Sequence, residues 1–164
     1  MKRFIKSFSY AGQGIAYAIR KERNFRVHLC FLFYMFGFLT VHDFFEVSRT
    51  QFAILIVMSA VVISLELVNT GIENAVNLAS EELTRYGKIA KDAASGAVLV
   101  SAIAAVAVGL VILLQPEAFT KMFEYYKENP GMLVILAVCV TFSVIFAFAG
   151  PDGIKDFFRR RFKK

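Results

Sequence analysis

From Phe52 to Leu65 every residue is apolar except Ser59 and Ser64, and the run leads directly into Glu66-Leu67-Val68-Asn69-Thr70-Gly71-Ile72-Glu73-Asn74-Ala75-Val76-Asn77. The polar stretch reads as the last turns of the same helix. At about 100° per residue, positions 66, 69, 73 and 77 fall at roughly 0°, 300°, 340° and 20°. Two carboxylates and two carboxamides therefore share one narrow stripe of an otherwise greasy helix. An ionisable group inside a membrane helix costs at least about 2.5–3.5 kcal/mol on insertion scales. Polar residues also serve simply to tie membrane helices together, which is reason enough for a single one. Four on one stripe, with Lys91-Asp92 opening the next apolar run, point instead to an inward-facing polar site.

The apolar runs recur. The chain has 164 residues, one domain's worth; 57% are hydrophobic and the mean hydropathy is +0.58. Ordinary soluble domains are far less apolar. The expected fold is an all-α integral-membrane helical bundle. Met1 to Arg26 forms an amphipathic surface helix: Phe4, Ile5, Phe8, Ile15, Ala16 and Ile19 recur at helical spacing among basic partners, as in interfacial helices. Gly12 and Gly14 weaken it locally. The spans are expected at Val27 to Val41 with flanks to Phe45, at Gln51 into the polar stretch, at Asp92 to Leu114, and at Met132 to Ala149. Leu78 to Lys91 is a polar connection, and Glu117 to Gly131 an aromatic one suited to the interface. The third span is rich in Ala, Gly and Ser, which lets helix backbones approach closely. Gly150-Pro151-Asp152-Gly153 breaks the fourth, and a basic tail follows from Ile154 to Lys164.

Charge placement sets the expected orientation. Sixteen of the nineteen Lys and Arg residues fall in the N-terminal arm, the 78–91 connection and the tail. Arg49, Lys121 and Lys127 make up the other side. The positive-inside bias then puts both termini in the cytoplasm, with Glu22, Glu66, Glu73 and Asp92 near the cytoplasmic face. The net charge of +6 thus reflects topology and anionic lipid rather than nucleic acid. No cleavable signal peptide is visible.

Carboxylates at an interface with Lys and Arg nearby suit a nucleotide and Mg²⁺, which takes one or two carboxylates plus phosphate oxygens and water. No Walker sequence, protein-kinase signature, His-Glu-x-x-His or cysteine cluster is present, so zinc chemistry is not expected. Cys30 and Cys139 read as packing residues, and His28 and His42 as isolated side chains. Two function classes stand: a membrane enzyme using Mg-nucleotide on a lipid, and a non-catalytic or cation-conducting bundle. The stripe's place at one interface, away from the midplane where transporter sites lie, favours the enzyme.

The stretch from Glu66 to Asn77 closely resembles the signature Glu-x-aliphatic-Asn-Ser/Thr-small-aliphatic-Glu-x-x-Val-Asp of the prokaryotic diacylglycerol kinase family, which includes the undecaprenol kinases. Glu22-Arg23-Asn24-Phe25-Arg26 is similar to that family's Glu-x-x-Phe-Arg. Lys91-Asp92 with Ser95-Gly96-Ala97-Val98 is similar to its Lys-Asp-x-x-Ser/Ala-x-Ala-Val, and Arg3-x-x-Lys6 with Tyr10 also matches. The resemblance covers roughly residues 1–114.

It implies a three-span homotrimer in the bacterial cytoplasmic membrane that moves the γ-phosphate of Mg-ATP to a lipid alcohol, undecaprenol or diacylglycerol. Glu66-Leu-Val-Asn-Thr leans towards the undecaprenol branch. The resemblance makes Glu66 the general base and a lipid-contacting residue, with Asn69 beside it. It makes Glu22 and Glu73 the metal ligands. Arg3, Tyr10, Glu82, Lys91 and Asp92 match nucleotide-contacting positions, and Ser95 a lipid-contacting one. Residues 1–115 would form the kinase domain, and 116–164 an added transmembrane segment with its tail. Two positions depart from the pattern. Asn77 replaces the closing Asp and removes a charge near the metal. Gly71 replaces the small Ser/Ala, at a helix-propensity cost of up to about 1 kcal/mol.

Overall fold

The computed structural model describes residues 2–79 and 84–161. Most of them lie in six helices: α1 (Lys2–Lys21), α2 (Arg23–Val41), α3 (Arg49–Ala79), α4 (Arg85–Leu113), α5 (Pro116–Glu128) and α6 (Pro130–Arg161). Four of these, α2, α3, α4 and α6, are long and apolar enough to cross a membrane. The fold is an all-α membrane bundle with an amphipathic helix at its N-terminus.

α3 and α4 are the most extensively paired helices. On α3 the buried residues are Leu55, Ser59, Val62, Glu66 and Thr70, a stripe with helical three- and four-residue spacing. Against it α4 sets Ala94, Val98, Ser101 and Ile112, two of them small enough to bring the backbones close. The buried hydroxyls turn back onto their own helices. Ser59 Oγ donates to the Leu55 carbonyl at 2.7 Å, Ser101 Oγ to Val98 at 2.8 Å, and Thr70 Oγ1 to Glu66 at 3.0 Å. That satisfies them where no water reaches.

Length bears on where the polar stripe sits. The 31 residues of α3 extend about 46 Å and the 29 of α4 about 44 Å, at 1.5 Å per residue. A hydrocarbon core is about 30 Å thick. Each helix therefore exceeds the core, and the ends that carry Glu73, Asn77 and Lys91 are the parts whose polar composition suits the excess.

At the other end α5 covers the connection between α2 and α3. Leu114 caps the end of α4 and Gln115 is the N-cap residue of α5, with Pro116 in the first turn, where its missing N–H costs nothing. The Gln115 side chain meets the Glu46 backbone twice, accepting from its N–H at 3.0 Å and donating to its carbonyl at 3.1 Å. His42 stacks on Phe44, with ring centroids 4.6 Å apart, and Tyr125 meets both edge-on. The expected aromatic connection is thus a helix. Its polar composition concealed the start signals, Pro116 and Glu117 at the N-terminus.

α6 packs on α2, α1 and α5 and, among the described residues, its backbone runs close to neither α3 nor α4. Within the membrane Tyr34 and Ser143 share a hydrogen bond of 2.8 Å, and Cys30 Sγ approaches the Ser143 carbonyl at 3.8 Å. Both cysteines are free, Cys30 half-buried and Cys139 exposed. The helix bends at Gly150, whose φ of 67° and ψ of 172° are non-helical, and Pro151 follows.

Two expected boundaries move. The N-terminal helix ends at Lys21 and not at Arg26; Arg23 to Arg26 form the first turn of α2. Helix also resumes at Arg85, inside the expected 78–91 connection. Thr84 Oγ1 accepts from the Gly87 N–H at 3.1 Å, an N-cap that supplies the reason. α1 is continuous through Gly12 and Gly14.

Candidate active site

The polar stripe of α3 is ordered by its own spacing. Asn69 Nδ2 donates to Glu73 Oε1 at 3.1 Å, one turn on. This orientation of the carboxamide is the sensible one, because the flipped form would point its oxygen at a carboxylate. It leaves Asn69 Oδ1 buried and without a partner. An unpaired buried acceptor is costly unless something else supplies its donor.

Glu66 is 3% exposed. Opposite it on α2, His28 Nε2 lies 3.3 Å from Oε1. Reading the sequence passed over His28, since a solitary His on an apolar run carries no spacing signal. α1 also reaches the stripe: Tyr17 Oη donates to Asn74 Oδ1 at 3.0 Å, while Asn74 Nδ2 donates to the Thr70 carbonyl at 2.8 Å. Tyr17, too, was absent from the expected site.

The third carboxylate, Glu22, stands at the corner between α1 and α2. It is the N-cap of α2 but makes no side-chain capping bond. Its carboxyl titrates above the ordinary Glu range, first because burial disfavours the charge, then because Glu73 and Glu66 repel it; Arg26 acts in the opposite sense. Glu22 thus comes within electrostatic reach of Glu66 and Glu73, which share α3. Among the described residues no group of three or more His, Cys, Asp or Glu could hold a metal by itself. Mg²⁺ does not ask for that: one or two carboxylates suffice when phosphate oxygens and water complete its octahedron. Mutually repelling carboxylates and an unpartnered carboxamide oxygen fit such an ion.

The remaining expected residues are spread around this cluster. Lys91 Nζ donates to Asn77 Oδ1 at 3.2 Å, joining the first turns of α4 to the last turns of α3. Tyr10, Asp92 and Ser95 are exposed, and no hydrogen bond ties them to the carboxylates. Arg3 lies in the first turn of α1, with its side chain outside the described residues, as is the whole of Glu82. From His28 a cleft of about 260 Å³ runs between α2, α3 and α4. Its lining is almost wholly apolar, with Phe31, Met35, Met58 and Val106 along it and Ser59 part-way. A buried carboxylate thus stands near the head of an apolar channel, with charged groups on its aqueous side.

The chain is similar to known proteins over the same region. It is 41% identical over 111 residues to the diacylglycerol kinase of Synechocystis sp. (strain ATCC 27184 / PCC 6803 / Kazusa), covering 67% of this chain and 62% of that protein. It is 40% identical over 117 residues to the undecaprenol kinase of Bacillus subtilis (strain 168), covering 70% of this chain and 90% of that one. No solved structure matches. The family model for prokaryotic diacylglycerol kinase matches residues 9–113, the part that holds every helix of the acidic cluster. With the signature on α3 and the Glu-x-x-Phe-Arg corner both in place, the chain belongs to the prokaryotic diacylglycerol kinase family.

Proposed function

We propose that the protein is an ATP-dependent lipid kinase, transferring the γ-phosphate of Mg-ATP to the hydroxyl of a membrane lipid alcohol, undecaprenol or diacylglycerol. The observation that carries this reading is the convergence of buried Glu66, Asn69, Glu73 and Glu22 near the head of an apolar cleft. Family membership and the names of the two relatives support it.

The residues divide the work by depth. Glu66 is two turns further into α3 than Glu73 and lies beside the cleft, so it is the base that takes the proton of the lipid hydroxyl. The freed oxygen attacks the γ-phosphorus, and the bond to ADP breaks. His28 faces the carboxylate and holds it in place. Asn69 fixes Glu73 with its amide and offers its unpartnered oxygen to the reacting groups. Glu73 and Glu22, nearer water, hold Mg²⁺, which when bound neutralises charge on the phosphates. Arg3, Tyr10, Glu82, Lys91 and Asp92 are the nucleotide-contacting set, and Ser95 contacts lipid. The lipid's chain lies in the cleft between α2, α3 and α4. Residues 1–115 form the kinase domain and 116–164 the addition; the chain works as a homotrimer, with both termini in the cytoplasm. α4 leaves Ala93, Ala97 and Ala104 exposed for close helix contact in that assembly.

A mixed-micelle assay tests this reading. Purified chain receives labelled Mg-ATP with undecaprenol or with diacylglycerol, alongside Glu66→Gln. Label on one lipid, lost in the variant, supports the kinase and assigns its branch, with undecaprenol expected. Label on neither, together with ATP-independent cation flux in proteoliposomes, would replace it with the cation-conducting reading.

A further inference from the structure

Arg26 is 4% exposed, and its guanidinium joins three parts of the chain. Nη1 donates to the carbonyls of Ile19 at 3.0 Å and Arg20 at 3.2 Å. These belong to the last turn of α1, where carbonyls have no donor from their own helix. Nε donates to the carbonyl of Ala147 on α6 at 3.0 Å. In a continuing helix that carbonyl would accept from residue 151, but residue 151 is proline and has no N–H. One side chain therefore closes the end of α1 and the break in α6 together.

The break is shaped to admit it. Gly150 has φ +67°, a conformation that L side chains rarely adopt. A Cβ there would lie 3.0 Å from Arg26 Cζ, 3.2 Å from Nη1 and 3.3 Å from Nη2. Just past the bend, Asp152 Oδ2 pairs with Lys21 Nζ at 3.4 Å. Glu22 sits between these two contacts, directly after Lys21 and one turn before Arg26. The backbone N–H of Arg26 donates to the Glu22 carbonyl at 3.3 Å. α6 therefore reaches the acidic cluster through the helices it packs on, α1 and α2, and the Arg26 contacts are where it meets their corner.

We propose that Arg26 is a positioning residue for Glu22, and that α6 sets its position through the Gly150–Pro151 bend. The fourth span is then part of the metal-binding machinery, not a separate anchor. The inference rests on Glu22 being a metal ligand, as argued above.

The test reads metal binding without turnover. The full chain in detergent micelles, with a non-hydrolysable ATP analogue, is titrated with Mn²⁺, and the Mn²⁺ bound by the chain is read by electron paramagnetic resonance as the difference from the same analogue concentration without protein. Gly150→Ala inserts the Cβ against the guanidinium. Arg26→Lys keeps the charge but lacks the planar fork that reaches three carbonyls. Each is expected to weaken Mn²⁺ binding by about 10-fold, as loss of an outer-sphere partner does. Glu22→Gln weakens it at least as much. Gly131→Ala, at the far end of α6 with nothing within 4 Å of its added Cβ, binds as wild type. Elution as a single species and retained helicity qualify each variant. If Gly150→Ala fails that check, Arg26→Lys and Asp152→Ala carry the test. Wild-type affinity in the qualified bend and Arg26 variants, with Glu22→Gln impaired, overturns the coupling alone. A wild-type chain that binds no Mn²⁺ overturns the metal reading of Glu22 and the coupling with it.

Discussion

His28 on α2 faces Glu66 on α3, Nε2 to Oε1 at 3.3 Å, so the carboxylate expected to act as base has a nitrogen partner. General-base catalysis contributes about 10²–10⁴-fold, so Glu66→Gln should lower kcat by at least about 10²-fold. His28→Ala should lower kcat by a smaller factor, with the apparent KM for ATP unchanged. Steady-state kinetics on both variants in mixed micelles measure this, and a His28→Ala enzyme with wild-type kcat would remove the histidine from the reaction.

The cleft below Glu66 gives a separable effect. Ala105 lines it, and Ala105→Phe fills space that a lipid chain would occupy. The apparent KM for the lipid alcohol should rise by at least about 10-fold, since even single methylenes in an apolar pocket are worth that much. The KM for ATP should stay put. Equal changes in both would mean that the cleft does not hold the lipid.

Asn77, in the last turns of α3, accepts from Lys91, in the first turns of α4. Asn77→Asp converts that contact into a charged one. Both groups are near water, so the gain in stability is expected to be small, below about 1 kcal/mol, and to shrink with added salt. Thermal unfolding at low and high ionic strength measures it. A fall in stability at low salt would show that the added charge meets the acidic cluster more strongly than it meets Lys91.

Tyr34 and Ser143 share a side-chain hydrogen bond between α2 and α6. Such bonds average about 0.6 kcal/mol in membrane proteins. Tyr34→Phe should cost about that much in denaturant unfolding, and lipid phosphorylation should continue.

The helices were legible because apolar length and helical spacing are carried by many residues at once. The 66–77 stripe was legible for the opposite reason: a buried carboxylate such as Glu66 is expensive where it stands, and four polar residues on one face of an apolar helix are rare without a purpose. Gly150 and Pro151 announced a bend, because neither residue suits a helix interior. What the bend holds could not be read. Its partner in α6 is the backbone carbonyl of Ala147, which no sequence pattern marks, and Arg26 was grouped with the basic residues of a surface helix although it is buried. His28 escaped for a related reason. Its significance lies in Glu66, 38 positions away on another helix.

The unequal ends of the bundle have a consequence for traffic between leaflets. The carboxylates gather towards the end of α3 and the start of α4, while His42, Phe44 and Tyr125 stack at the opposite end. A kinase built this way serves one leaflet. If the proposed transfer holds, an alcohol whose hydroxyl faces the other side would have to be flipped before it meets Glu66, and the phosphorylated lipid would be released with its new charge on the side where ATP binds.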